Sequence, residues 1–272
     1  MVSFLMKSPL PSLQIQKSFG KLSHLATLER HGALDDIISH VEAIFSNKEI
    51  IKKSKILPFR FIEAIKHINN AKAQDALRDA LELSFESIPD IHGRTAVLLD
   101  CSPSMKYKYR NDEMMQTAAV FAIAVMKKAN NNGSLICFDG KAARYNVSLC
   151  DSMLTQADAI SKWTTGGATN PSAGLEILLD AKEKVDNLIV ITDGEQNRGA
   201  PFADVLAKYK ATVNAKVKVF IMDVSPNLDA ITPDDSNVTY IYGWSDEALK
   251  FISLASNEWG HFVNEALKVV LT

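Results

Sequence analysis

Two hydrophobic periods divide this chain. Between residues 22 and 88 the apolar positions recur every three or four residues, and no alternating run interrupts them. Leu34, Ile37, Ile38, Val41, Ile44 and Phe45 form one stripe, the pattern of a helix with a single buried face. Pro58 stands where a first-turn proline belongs, and Phe59, Ile62, Ile65 and Ile68 follow on one predicted face. Ala73, Ala76, Leu77, Ala80 and Leu81 make a third stripe. The spacing predicts paired short helices, as in a small bundle or a fragment of a helical solenoid. SIPDIHGR at 87–94 then breaks the period and reads as a linker.

Beyond residue 94 the period shortens. TAVLLD (95–100), SLICFD (134–139), NLIVITD (187–193), KVKVFIMD (216–223) and NVTYIYG (237–243) are short apolar runs with strand composition, and AARYNV (142–147) alternates like an edge strand. Helical patterns separate them: 112–129, with Met114, Met115, Ala118, Phe121, Ala122, Val125 and Met126 as its apolar positions, then 171–183, 202–213 and 246–257. Strands alternating with helices of this length require right-handed crossovers and a mostly parallel sheet covered on both faces. The expected fold class is therefore α/β, a doubly wound, mostly parallel sheet preceded by a small all-α segment. The expected divisions are an N-terminal tail (1–21), a helical segment (22–93) and the α/β domain (94–272).

Composition narrows the class. The 272 residues are 47% hydrophobic and 23% charged, the balance of one large or two ordinary soluble domains. A net charge of −2 and a pI near 6.3 give no global basic field for nucleic acid. Cys101, Cys137 and Cys150 form no CxxC pair and lie in or beside apolar runs, so buried thiols in a reducing compartment are expected. MVSFLMKSPLPS lacks the basic and then long apolar regions of a signal peptide, and no run approaches the roughly 20 apolar residues that span a bilayer. A cytoplasmic location without membrane contact is expected. There is no GxSxG or HExxH, and Ser102 stands where an aspartyl-nucleophile phosphatase would carry a second aspartate, so no enzymatic activity is expected.

Four strand ends carry an aspartate: Asp100, Asp139, Asp193 and Asp223. Ligands of doubly wound sheets bind at that rim. Carboxylates gathered there repel one another unless a positive charge sits among them, so a cation is expected. LLDCSPSM (98–105) offers Asp100, Ser102 and Ser104 from one turn. KWTTGGATNPSAGLEILL (162–179) offers a Gly-Gly loop and then Thr169, just before a helix opened by Pro171. LIVITDGEQ (188–196) adds Asp193. These are oxygen donors, suited to a hard divalent cation such as magnesium. Asp139 and Asp223 fit no metal motif and read as loop caps.

As a set, D-x-S-x-S, a threonine in a GG-x-T loop and a strand-terminal TDG resemble the metal-ion-dependent adhesion site (MIDAS) of von Willebrand factor type A domains. That resemblance implies Ser102, Ser104 and Thr169 as hydroxyl ligands of Mg2+ or another divalent cation such as Mn2+. It implies Asp100 and Asp193 acting largely through bound waters, and an open position that a protein partner's Asp or Glu completes. LERHGALDDI (28–37) and KSKILPFRFIEAIKHI (53–68) resemble the end of the TROVE module of the Ro ribonucleoprotein autoantigen family, whose helices precede a type A domain. The family resemblance implies binding of structured noncoding RNA, with single-stranded ends in the hole of a ring of helical repeats and duplex on a basic outer surface. The residues before 94 are too few for a full ring, so a hole built by one chain is not expected. Lys48, Lys52, Lys53, Lys55, Arg60 and Lys66 are the candidate RNA contacts; Tyr107, Tyr109 and Arg110 are candidates for a rim where a partner docks. The alternative is a metal-dependent interaction or assembly module, in a phage or another large particle, that binds no RNA.

Overall fold

The stripes before residue 88 fold as helices: α1 (Ser23–Arg30), α2 (Ile38–Phe45), α3 (Lys48–Ser54), α4 (Pro58–Lys66) and α5 (Ala71–Phe85). The computed structural model describes residues 22–54, 56, 58–86, 88–106, 114–225, 230–233, 236–243 and 246–256. The chain forms two units that divide between Ser87 and Ile88. In the first, α5 packs against α2, α3 and α4 and is buried along Ala73, Ala76, Leu77, Ala80, Leu81 and Phe85. Its start is fixed by Asn70, whose side chain accepts the Ala73 amide at 3.1 Å, while the Glu29 carboxylate accepts the Asn69 and Asn70 amides. Two details depart from the sequence pattern. Asp35–Ile37 is a 3-10 turn, so the first stripe becomes a helix only at Ile38. In α4 the buried face runs through Pro58, Phe61, Ile62 and Ala64, with Phe59 only half-buried. Phe61 wins that place because its ring meets Phe45 edge to face, with centroids 6.1 Å apart.

The second unit holds β1 (Thr95–Asp100), α6 (Met114–Lys128), β2 (Gly133–Phe138), β3 (Ala142–Tyr145), α7 (Met153–Ser161), α8 (Pro171–Asp180), β4 (Asn187–Thr192), α9 (Phe202–Thr212), β5 (Lys218–Asp223), β6 (Val238–Tyr242) and α10 (Asp246–Ser256). The strands form one sheet in the order β3-β2-β1-β4-β5-β6, parallel except for β3, which pairs antiparallel with β2 at one edge. The expected doubly wound, mostly parallel sheet is thus the observed one. Every residue of β1 and β4 is buried, as central strands covered on both faces must be. Leu98, Ile136, Val190, Leu175, Leu178, Phe202 and Tyr209 form the core on one face. On the other, α6 packs against β1, β2 and α7, which explains why Ala118 to Met126 are buried all round.

Helix α7 has no counterpart in the sequence reading. Ser152 caps it by accepting the Thr155 amide at 3.1 Å, and Met153, Leu154, Ala157 and Ile160 are its buried apolar positions. Helix α8 stops at Asp180 rather than 183, because Lys182 turns the chain at φ +47° and the Glu183 amide folds back onto the Leu178 carbonyl. The expectation of three buried thiols needs correction: Cys101 and Cys137 are buried, but Cys150 lies exposed in the turn after β3, where its amide is held by Ser148. No helix among the described residues is long and apolar enough to cross a membrane. From β1 the chain winds outward to β3, then returns to lay β4 on the other side of β1. The carboxyl ends of β1 and β4 therefore flank the switch-point crevice, where such sheets bind ligands.

Candidate metal centre

Asp100 closes β1 inside that crevice and is fully buried. Its Oδ1 accepts the Ser102 amide at 2.8 Å, and its Oδ2 accepts the Thr192 hydroxyl at 2.7 Å. Burial, with a smaller push from the neighbouring Asp193 charge, outweighs the downward pull of the Ser102 and Thr192 hydrogen bonds and leaves its carboxyl raised to about 7. The chain turns at once into a short 3-10 segment, Pro103–Lys106. This brings the Ser102 and Ser104 hydroxyl oxygens to 3.0 Å.

Thr169, also buried, sits on the loop that leads into α8. Its amide donates to the Asn197 side-chain oxygen at 2.9 Å, and its carbonyl accepts the Asn197 and Arg198 amides at 3.1 and 3.2 Å. Asn170 caps α8 by accepting the Ala173 amide at 3.3 Å. The 193–201 loop passes so close to this cap that a Cβ at Gly199 would stand 2.2 Å from the Asn170 side-chain oxygen, and φ there is +83°. Two contacts join the Thr169 loop to the serine turn. The Lys106 ammonium donates to the Trp163 carbonyl at 2.7 Å, and a Cβ at Gly167 would lie 3.5 Å from the Pro103 ring.

Asp193 follows β4 and is buried, with one oxygen accepting the Glu195 amide at 3.4 Å. The Gly194 amide donates to the Thr192 hydroxyl oxygen at 3.2 Å. Asp139 and Asp223 hold loops. Asp223 accepts the Ser225 amide through its side chain and the Gly243 amide through its carbonyl. Burial pushes its carboxyl up, the Ser225 amide opposes that, and Asp193 adds to the rise. Asp139 accepts hydrogen bonds from Lys141, Thr164, Thr165 and Gly166. Burial alone would push its carboxyl up, but the Thr165, Lys141 and Thr164 hydrogen bonds outweigh it and hold the group at about 2.

Strand-end loops thus place Asp100, Ser102, Ser104 and Asp193 at the carboxyl ends of β1 and β4, and the loop between α7 and α8 carries Thr169. The predicted donors are hydroxyl and carboxylate oxygens rather than thiolate or imidazole; no cluster of three or more His, Cys, Asp or Glu suited to a metal occurs among the described residues. The donors fit a hard divalent cation. Neighbouring ligands of an octahedral ion at about 2.0–2.1 Å lie roughly 2.9–3.0 Å apart, and the two serine hydroxyls are 3.0 Å apart. Sequence reasoning missed Thr192, Asn197 and Arg198. A Cβ at Gly140 would stand 3.4 Å from an Arg198 guanidinium nitrogen and 3.4 Å from the Ala168 methyl, which puts this cation beside the Thr169 loop. Only the place of Thr192 as the first residue of TDG hints at its part; for Asn197 and Arg198 the sequence carries no signal.

The remaining predicted residues lie elsewhere. Lys48, Lys52 and Lys53 are on α3, Arg60 and Lys66 on α4. Lys48 pairs with Glu86 at 2.5 Å and Arg60 with Glu63 at 3.9 Å. Lys52, Lys53 and Lys66 are exposed. Lys55, Tyr107, Tyr109 and Arg110 fall outside the described residues.

Sheet order, strand-end loops and donor set together define a von Willebrand factor type A domain. Residues 94–254 match the family model of the Ro60 vWA domain, more than half of the chain, and the protein belongs to that family. The Ro (Rsr) protein of Deinococcus radiodurans has a similar structure, with a TM-score of 0.72 and 17% identity over 86% of this chain and 52% of that one. This chain therefore spans about half the length of that relative. Proximal thread matrix protein 1 from the mussel byssus, with a zinc-occupied MIDAS motif, matches at a TM-score of 0.43, 18% identity, and 62% and 48% of the two chains. A von Willebrand factor type A protein from Catenulispora acidiphila matches at 0.40, 14% identity, and 62% and 42%. At such identities the likeness is one of fold. No curated protein matches the sequence.

Proposed function

We propose that this protein is a non-enzymatic binding module. In it, Asp100, Ser102, Ser104, Thr169 and Asp193 hold a divalent cation, Mg2+ or Mn2+, and an Asp or Glu of a protein partner completes the shell. The observation that carries this reading is the pair of serine hydroxyls 3.0 Å apart beside the buried Asp100. A bound cation supplies an electrophilic position for one carboxylate oxygen. The chain's own contribution is the rest. Neutral hydroxyls leave the positive charge little reduced, the two aspartates balance and orient, and Arg198 adds positive potential beside the Thr169 loop. A reducing, cytoplasmic setting, free or within a larger particle, suits the unpaired thiols.

Water-proton relaxation during a Mn2+ titration tests the proposal. The wild type should bind Mn2+ saturably with an exchangeable water, acetate should displace that water, and Ser102→Ala and Asp100→Ala should lose the binding while staying folded. Saturable binding absent from the wild type, or bound Mn2+ indifferent to acetate, would sink the reading.

A second reading, structured noncoding RNA bound by the helical unit, is favoured by Lys52, Lys53 and Lys66, which are exposed and form no ion pair among the described residues. A hairpin with a single-stranded tail should then bind with a steep salt dependence, in magnesium and in EDTA alike. Lys52→Glu with Lys53→Glu should lower both affinity and salt slope. No binding in either buffer would leave the RNA-free interaction or assembly module.

A further inference from the structure

We infer that Asp139 is a positioning residue of the proposed metal site: its carboxylate folds residues 164–166 so that the loop delivers the Thr169 hydroxyl to the crevice. The inference rests on the reading of Thr169 as a ligand. Asp139 follows β2, the neighbour of β1, with Phe138 in register with Asp100. It is fully buried and accepts hydrogen bonds from the Thr164 hydroxyl at 3.1 Å, the Thr165 amide at 2.5 Å, the Thr165 hydroxyl, the Gly166 amide at 3.2 Å and the Lys141 amide at 3.1 Å. An ionised carboxylate offers about four acceptor sites. Five donors therefore saturate it, and it is left no lone pair for a cation.

The Asp139 main chain acts on the far end of the same segment, where its carbonyl accepts the Asn170 amide at 2.9 Å. One residue thus fastens both ends of a short loop, and Thr169 lies between the fastenings. Such fastening is needed here. Gly166 and Gly167 take φ values of +128° and +87°, and glycines impose no conformation of their own. Without the carboxylate, residues 164–166 lose the hydrogen bonds that fix them, and what remains on Thr169 itself are the Asn197 and Arg198 contacts to its main chain.

The test is a double-mutant cycle read as Mn2+ affinity by calorimetry, with folding monitored by circular dichroism. Asp139→Asn should weaken Mn2+ binding roughly 10-fold, the lower end of what outer partners of metal ligands contribute. In a Thr169→Ala background the same change should have no further effect, because the ligand being positioned is already gone. Equal affinity for wild type and Asp139→Asn would overturn the inference, as would an equal loss in both backgrounds, the signature of a merely structural role. Should Asp139→Asn fail to fold, Thr165→Ala removes one donor and keeps the carboxylate. It should weaken binding in the wild type and not in Thr169→Ala; the absence of that pattern counts against the proposal in the same way. A wild type that binds no Mn2+ would fail the metal reading itself, and with it this one. That outcome is distinct from a bound wild type unaffected by Asp139→Asn.

Discussion

Thr192 uses one hydroxyl twice. It donates to Asp100 across the switch point and accepts the amide of Gly194, so it ties the buried carboxylate to the start of the TDG turn. Thr192→Val keeps the shape and removes both contacts. A buried acceptor that loses its donor costs about 1–3 kcal/mol, more when charged, so the urea midpoint should fall accordingly and Mn2+ affinity should weaken with it. An unchanged midpoint would mean that Asp100 finds another donor. The proposed ligands were legible because hard-cation chemistry restricts both residue type and local spacing: Asp100, Ser102 and Ser104 stand on one turn. Thr192 and Asn197 were not, since their partners lie 92 and 28 residues away and only the fold brings them together.

Among the elements, the edge of the sheet opposite β6 is held by Glu183, beyond the end of α8. Its carboxylate accepts hydrogen bonds from Arg94, Ser134 and Arg144, linking the entry to β1 with β2 and β3. Burial pushes that carboxyl up, but the Arg144, Ser134 and Arg94 contacts outweigh it and hold it below 4.5. A depressed carboxyl contributes stability above its unfolded value and loses it as pH falls toward the folded one. Glu183→Gln should therefore destabilise the protein at pH 7, and the gap between variant and wild type in urea should narrow as pH drops below 4.5. A gap that does not change with pH would assign the effect to packing. In the helical unit, Phe61→Ala should cost about 3–5 kcal/mol, whereas Phe59→Ala should cost clearly less; equal losses would restore the face inferred from the stripe. Strand positions were readable because central parallel strands are apolar throughout. Helix α7 escaped because its four buried apolar residues are interrupted by the buried polar Gln156, and the α4 face was misplaced because 59, 62 and 65 share the helical spacing of the true positions 58, 61, 62 and 64.

For the whole molecule, two units with separate cores place the complete proposed site on one side of the division at Ser87. A fragment beginning at Ile88 should fold alone and bind Mn2+ as the full chain does, while any RNA affinity should stay with the helices. A fragment that aggregates, or binds the ion more weakly, would show that the first unit supports the second.

The hydrogen bond between Asp100 and Thr192 also sets a time order. During synthesis β1 and β2 emerge first, with Asp100 and both serines already made, yet the crevice has no second wall until β4 is laid beside β1. A chain that stops short of β4 carries four of the five proposed ligands, Asp100, Ser102, Ser104 and Thr169, but lacks Asp193 and the Thr192 hydroxyl that holds Asp100.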